Sequence, residues 1–403
     1  MNRTRAALRT TFSALHVRNY RLYFFGQIVS VSGAWMQRVA QAWLVLDLTG
    51  SGTAVGGLTA LQFLPLLVAA PFGGVVADRV DKRRLLFVTQ SLAAVIAATL
   101  GLLVLTATVE LWMVYALAFT LGMVGSFDNP ARQSFVIEMV GRGRVVNAVA
   151  LNSVTINAAR ILGPALGGIL IVTVGIAMCF LLNALSYVAL LTALALMHPG
   201  ELQRSIPQSR RRGQLREGLR YVAGERLLRT LLVMTAVAGA LSYEFEVSLP
   251  LLAKFTFGGD AGTFGLMFTA LGVGAVVGGL HTASVTDRTA VAAARMAAVF
   301  GLAIATVSVA PTLWLALTAL VVVGAAGTSL LAFSNSLLQM HARGEMRGRV
   351  LALRAMAFLG TRPLGAPLIG WIGEHVGPRY AVATGALAAL LVAGWGYRKL
   401  SSE

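Results

Sequence analysis

Acidic residues are scarce in this chain. Its 403 residues hold 16 Asp and Glu against 33 Lys and Arg, and the four types together make up only 12%. A soluble domain carries about 25% charged residues, so that class is excluded. Cysteine is scarcer still: Cys179 stands alone inside an apolar run, which removes any internal disulfide and leaves it as packing. Five histidines (His16, His198, His281, His341, His375) are scattered without ligand spacing, so no metal is expected. No Gly-x-x-x-x-Gly-Lys-Ser/Thr run occurs, which argues against ATP drive within the chain. No nucleophile and base converge, which argues against an enzyme. A channel would need a repeated pore-lining ring, and none is visible. No cofactor is expected, and the basic first 21 residues lack a cleavable signal pattern.

What is abundant is apolar length. Hydrophobic residues make up 57% of the chain and mean hydropathy is +0.76. About 20 apolar residues cross a bilayer. Spans are predicted near 20–46, 53–77, 84–107, 111–139, 145–173, 175–197, 228–251, 261–283, 290–310, 312–340, 347–373 and 379–397. The 43 glycines suit close helix packing in lipid. The prediction is an all-α membrane protein with twelve transmembrane helices. A polar stretch, 198–229, holds Arg210, Arg211 and Arg212 and reads as a cytoplasmic linker near anionic lipid, helical around 214–223. It separates a six-helix bundle over 1–197 from a second over 230–403.

A net charge of +17 could suit nucleic acid, but the basic residues sit in short loops and form no continuous face. With both termini inside, 26 of the 33 Lys and Arg lie on the inner side. Lys254 and Arg379 lie outside, and Arg38, Arg132, Arg160, Arg354 and Arg362 lie within spans. That asymmetry predicts cytoplasmic termini in a cell membrane, inner or plasma. A monomer surrounded by lipid is expected.

The chain also repeats itself. Arg142-Gly143-Arg144-Val145 recurs as Arg347-Gly348-Arg349-Val350, Asn129 and Gln133 as Asn335 and Gln339, Arg160 and Pro164 as Arg362 and Pro367, and Asp78-Arg79 as Asp287-Arg288. The order is kept, at offsets of 202 to 209 residues. Two related membrane halves make a pseudo-symmetric pair with a midplane site, as many secondary transporters do.

Between spans two and three lies Gly73-Gly74-Val75-Val76-Ala77-Asp78-Arg79-Val80-Asp81-Lys82-Arg83-Arg84. This resembles the signature loop of the major facilitator superfamily, with Asp81 where the family usually has Gly. Gly74 allows close helix approach, and Asp78 suits the positive N-terminus of span eleven at Arg347, Gly348 and Arg349. Arg79 and Arg83 hold the loop inside. In span five, Gly163-Pro164-Ala165-Leu166-Gly167-Gly168 resembles the antiporter motif of that superfamily, with Ala159 in place of its first Gly. Asn19-Tyr20-Arg21-Leu22, the run from Trp35 to Gln41, the run from Asn129 to Ser134 (with Arg132) and Arg347 to Val350 resemble the drug-export branch related to macrolide and enterobactin exporters. The resemblance implies alternating access and outward movement of small amphipathic molecules coupled to protons. An exporter of one metabolite, such as a siderophore, is the alternative; a receptor or enzyme is a more distant one.

Ionisable groups in lipid cost several kcal/mol and mark cavities or partners. The expected substrate-cavity residues are Gln37, Arg38, Gln41, Asn157, Arg160, Tyr243, Asn335 and Arg362. Asp128 and Arg132, one turn apart, suit an ion pair, which serves either as a permanent bridge or in function. Glu244 and Glu246 have no basic neighbour in their own helix. They are the preferred proton carriers, Glu244 first, with Asp128 as the remaining candidate.

Overall fold

The structure, a computed structural model, describes residues 13–203, 214–285 and 289–400. The linker arginines Arg210, Arg211 and Arg212 and the repeated Asp287-Arg288 lie outside these residues. The described residues form helices, with no strand among them. The first six are α1 (Arg18–Thr49), α2 (Gly52–Arg79), α3 (Lys82–Leu105), α4 (Leu111–Val140), α5 (Val145–Val174) and α6 (Ile176–Ala195). A short α7 (Gln214–Gly224) follows. Then come α8 (Arg226–Val237), α9 (Phe245–Leu251), α10 (Ala261–Ser284), α11 (Ala290–Val309), α12 (Leu313–His341), α13 (Arg347–Leu359), α14 (Arg362–His375) and α15 (Pro378–Leu400).

Ten helical stretches among the described residues are long and apolar enough to cross a membrane; α8 and α9, with the turns that join them, make one of the ten. The other two of the twelve spans are α1 and the α13–α14 pair. Each carries arginine in mid-span, Arg38 in one and Arg354 and Arg362 in the other, which lowers its hydropathy. The two spans least like plain lipid anchors are thus among those with chemistry inside the membrane.

Two spans are broken. Span seven runs through a wide π-helical turn at Ala238–Ser242, leaves helical geometry at Tyr243 and Glu244, resumes as α9 and widens again at Leu252–Thr256. Pro250 adds to the irregularity, since it cannot donate to the carbonyl of Glu246 one turn earlier. Span eleven breaks at Gly360 and Thr361, just before Arg362-Pro363 opens α14, where a proline at the helix start is well placed.

Contacts divide the chain into two units, one comprising Met1–Ala40 with Val68–Ser209, the other Gln41–Leu67 with Arg210–Glu403. Residues 41–67 group with the later helices because α2 begins against α14 with almost no side chain between them. A Cβ on Gly52 would lie 2.5 Å from the carbonyl oxygen of Gly370. In the first unit, buried Tyr20, Tyr23, Phe135, Leu190 and Leu194 join α1, α4 and α6. Asn19 stitches the start of α1 to the chain after α6: its amide donates to the His198 carbonyl (2.9 Å) and its Oδ1 accepts from the His198 amide (3.0 Å). In the second unit, α7 docks through buried Val222 beside Leu337, Val350 and Leu353. Glu217 of α7 pairs with Arg349 at 2.7 Å, and the Tyr221 hydroxyl accepts from the Arg343 amide at 3.1 Å.

Candidate functional site

The breaks in spans seven and eleven bring their charged residues together. Arg362, at the start of α14, meets Glu244 with Nε at 3.2 Å from Oε1 and Nη2 at 3.3 Å from Oε2. Its Nη1 lies 3.7 Å from Oε1 of Glu246. The Glu244 side chain is 1% exposed, that of Arg362 9% and that of Glu246 13%, so Glu244 is the deeper acid. The other face of the guanidinium lies over the Phe63 ring, 4.2 Å from its centroid. The span-seven acids thus find their cation on a helix over a hundred residues away, not on their own.

Tyr243 sits at the same break, but its ring stacks on Phe300 (centroids 4.7 Å) and meets Phe358 edge-on, while its hydroxyl donates to the Gly327 carbonyl at 2.7 Å. Asn335 is half-buried on α12.

In the first unit, Asp128 anchors a polar knot. Its Oδ1 accepts from Thr89 (2.8 Å) and from the Gln90 amide (2.7 Å), and its Oδ2 accepts from Arg132 Nε (2.9 Å) and Nη2 (2.7 Å). Arg132 also donates to Gln27. Every carboxylate oxygen is satisfied, as a buried charge requires.

Nearby spans hold a second feature. Arg38 and Arg160 both lie over the Trp35 ring, with guanidinium carbons 4.7 and 5.3 Å from its centroid. The α5 glycine motif sets this up, since a Cβ on Gly163 would lie 2.5 Å from Cβ of Trp35 and 2.7 Å from the Ser32 carbonyl oxygen. Gly163, Pro164, Gly167 and Gly168 are all buried, so α5 lies directly on α1 one turn from Arg160.

The other cavity candidates are committed to packing partners. Gln37 is buried and its Oε1 accepts from the Asn183 amide at 2.5 Å. Gln41 is buried and accepts from Gln62 at 3.1 Å. Asn157 is half-buried and donates to the Ser153 carbonyl at 2.9 Å.

The signature loop joins α2 to α3. Gly74 is buried, Asp78 half-buried and Arg79 exposed. Asp81, the departure from the family pattern, caps α3 by accepting from the Arg84 amide at 3.1 Å. Arg83 donates to the last carbonyls of α6, Leu194 at 2.6 Å and Ala195 at 3.0 Å. Lys82 pairs with Glu138 at 2.7 Å, both side chains buried. Glu138 was not singled out in the sequence, although an acid near the end of an apolar span facing a basic loop is a readable signal. Arg347 and Gly348 are exposed.

The residue pattern of the transmembrane secretion effector family matches residues 9–400. The multidrug efflux pump Tap of Mycolicibacterium fortuitum is 28% identical over 367 residues, 88% of this chain and 89% of that pump. The enterobactin exporter EntS of Citrobacter koseri is 25% identical over 401 residues, 97% of this chain and 94% of that protein. Among solved structures, a bacterial homologue of the iron transporter ferroportin, in an inward-facing state, aligns with a TM-score of 0.74 at 14% identity, covering 96% of this chain and 99% of its own. Twelve spans, the signature loop and these relatives agree: the chain is a multi-pass membrane protein that belongs to the transmembrane secretion effector family of major facilitator superfamily transporters.

Proposed function

We propose that this chain exports small amphipathic molecules across the cell membrane by proton antiport with alternating access, working as a monomer with both termini in the cytoplasm. The observation that carries the reading is the trio of Glu244, Glu246 and Arg362 at two helix breaks. One guanidinium offsets one carboxylate. With both acids ionised the trio carries a net negative charge, and a single proton brings it to neutrality. Uncompensated charge within the membrane is costly, so loading a proton and rearranging the trio are coupled. Broken helices let their halves shift without tearing a continuous ladder. The two acids share one cation and titrate as a pair, with Glu244, the deeper, as the main carrier. Asp128, with both carboxylate oxygens bonded, is structural. Substrate contacts are assigned to Arg38 and Arg160 in the first unit and to Tyr243, Asn335 and Arg362 in the second. Gating is assigned to Gly74, Asp78, Arg79 and Arg83 of the signature loop and to Arg132 in the first unit, and to Arg347, Gly348 and Arg349 in the second.

The test is transport in proteoliposomes with an imposed pH gradient and a panel of drugs and siderophores. Wild type moves substrate only with the gradient. Glu244→Gln combined with Glu246→Gln still binds substrate but no longer responds to the gradient. Normal gradient-driven export by that double variant would remove the trio from coupling. The enterobactin exporter matches 97% of this chain, which favours, as a second reading, export of a single metabolite. Transport of one panel member alone would select it.

A further inference from the structure

We propose that Arg354 and a polar lane along α12 bind an acidic group on the transported molecule, an assignment that rests on the export reading above and adds a ligand class to it. Arg354 stands about two turns into α13, inside span eleven. The mid-span arginines Arg132 and Arg362 each meet an acid. Arg354 does not: among the described residues its Nη2 donates to the Leu331 carbonyl at 3.2 Å, its Nε is buried without a partner, and no carboxylate pairs with it. The carbonyl it reaches is the one that the Asn335 amide bonds within α12, so the guanidinium stands beside Asn335. Thr328, Asn335 and Gln339 recur at helical spacing on one side of α12. All three are half-buried, and among the described residues none of their side chains has a hydrogen-bond partner. The exposed apolar residues Leu315, Val322 and Met340 recur along another side of the helix. The lane therefore turns away from acyl chains, and its polar groups face water or a polar guest.

An anion supplies what the fold leaves unmet. A guanidinium offers its N–H groups as a planar fork that matches a carboxylate, and the Asn335 amide adds a neutral donor next to it. Turning to a carboxylate costs Arg354 one bond to a carbonyl; it gains a counter-charge and a partner for Nε. Thr328 and Gln339 offer a hydroxyl and an amide to neutral polar groups of the same molecule. The apolar part of the site is close by. The Tyr243 hydroxyl bonds the Gly327 carbonyl, one turn from Leu331, and its ring meets Phe358, one turn beyond Arg354, at 5.1 Å between centroids. Both rings are half-buried and offer surface to the body of an amphipathic acid.

The test uses two probes of one shape, 2-naphthoate and its uncharged amide 2-naphthamide. Binding to the protein in phosphatidylcholine nanodiscs is measured by equilibrium dialysis, with empty nanodiscs correcting for partition into lipid. Wild type should prefer naphthoate by about 10-fold, the scale of one charge-assisted hydrogen bond. Arg354→Gln should remove most of that preference, and Arg354→Lys should keep part of it. Equal affinity of wild type for the two probes overturns the proposal, as does an unchanged preference in folded Arg354→Gln. A second measurement leaves Arg354 in place. In a Cys179→Ala background, naphthoate should slow maleimide labelling of Asn335→Cys at concentrations where naphthamide does not. Equal protection by the two probes overturns the proposal even if no Arg354 variant folds. Displacement of naphthoate by phosphatidylglycerol added to the nanodiscs would assign Arg354 to a lipid headgroup and also overturn it. An acid preference carried by Arg354 in a protein that exports nothing sinks the export reading alone. Gradient-driven export without the preference sinks this site alone.

Discussion

A charged residue in an apolar span is visible in any sequence, but its partner is not. Arg362 and Glu244 are 118 positions apart and meet only because two helices break at the same level. Asp128 and Arg132 were the exception, since four residues along a helix place two side chains on one face. Even there the sequence left open what the contacts now favour, a fixed structural bridge, because Thr89, Gln90 and Gln27 come from other helices. Asp128→Asn leaves Arg132 without its counter-charge. It should destabilise the protein by about 3 kcal/mol, read as a lowered melting temperature in detergent; a change within error would make the bridge dispensable. Glu374 tells a different story at the exposed end of α14. Its carboxylate accepts from the Ser51 hydroxyl at 2.6 Å and the Thr53 amide at 2.9 Å, and so caps the start of α2. Bonds from Ser51 and then Thr53 pull its pKa from 4.5 down to about 2. A depressed carboxylate pKa stabilises the fold above the unfolded value and loses that contribution as pH falls through the folded one. The melting-temperature gap between wild type and Glu374→Gln should therefore be full at pH 6, shrink below pH 4.5 and be nearly gone by pH 2. A gap that persists unchanged into strong acid would mean the charge plays no part.

At the scale of the helix, hydropathy found most of the spans, because length and composition are local properties. It marks α1 and span eleven poorly, since both spend apolar positions on arginine. The break before Pro363 has a local cause and could have been read from Arg362-Pro363. The wide turns of span seven could not, since Ala-Gly-Ala-Leu-Ser has the composition of an ordinary membrane helix. The glycine motif of α5 now has a graded consequence. A Cβ on Gly163 would strike Trp35 and Ser32 at 2.5 and 2.7 Å, whereas one on Gly167 would meet the Met36 carbonyl oxygen at 3.3 Å. Gly163→Ala should cost about 1–3 kcal/mol through overpacking, and Gly167→Ala clearly less. Equal melting temperatures for the two would show that α5 can slide away from α1 without penalty.

For the whole molecule, the distribution of Lys and Arg sets the expected orientation. In a Cys179→Ala background, cysteine placed at exposed Thr108 should react with an impermeant maleimide added to intact cells, and cysteine at exposed Gly200 should not. The opposite pattern would invert the protein in its membrane. The wide turns of span seven bear on chain length as well as on charge. A π-helical turn holds a residue more than an α turn of similar rise, so a deletion there can be absorbed by closing the turn while the flanking helices keep their angular phase. In the regular α6 a one-residue deletion rotates everything beyond it by about 100°. Removing Leu241 should therefore leave a protein that still inserts and runs as a single species on size exclusion, whereas removing Leu185 from α6 should not. The number of residues in span seven is negotiable in a way that the number in its neighbours is not.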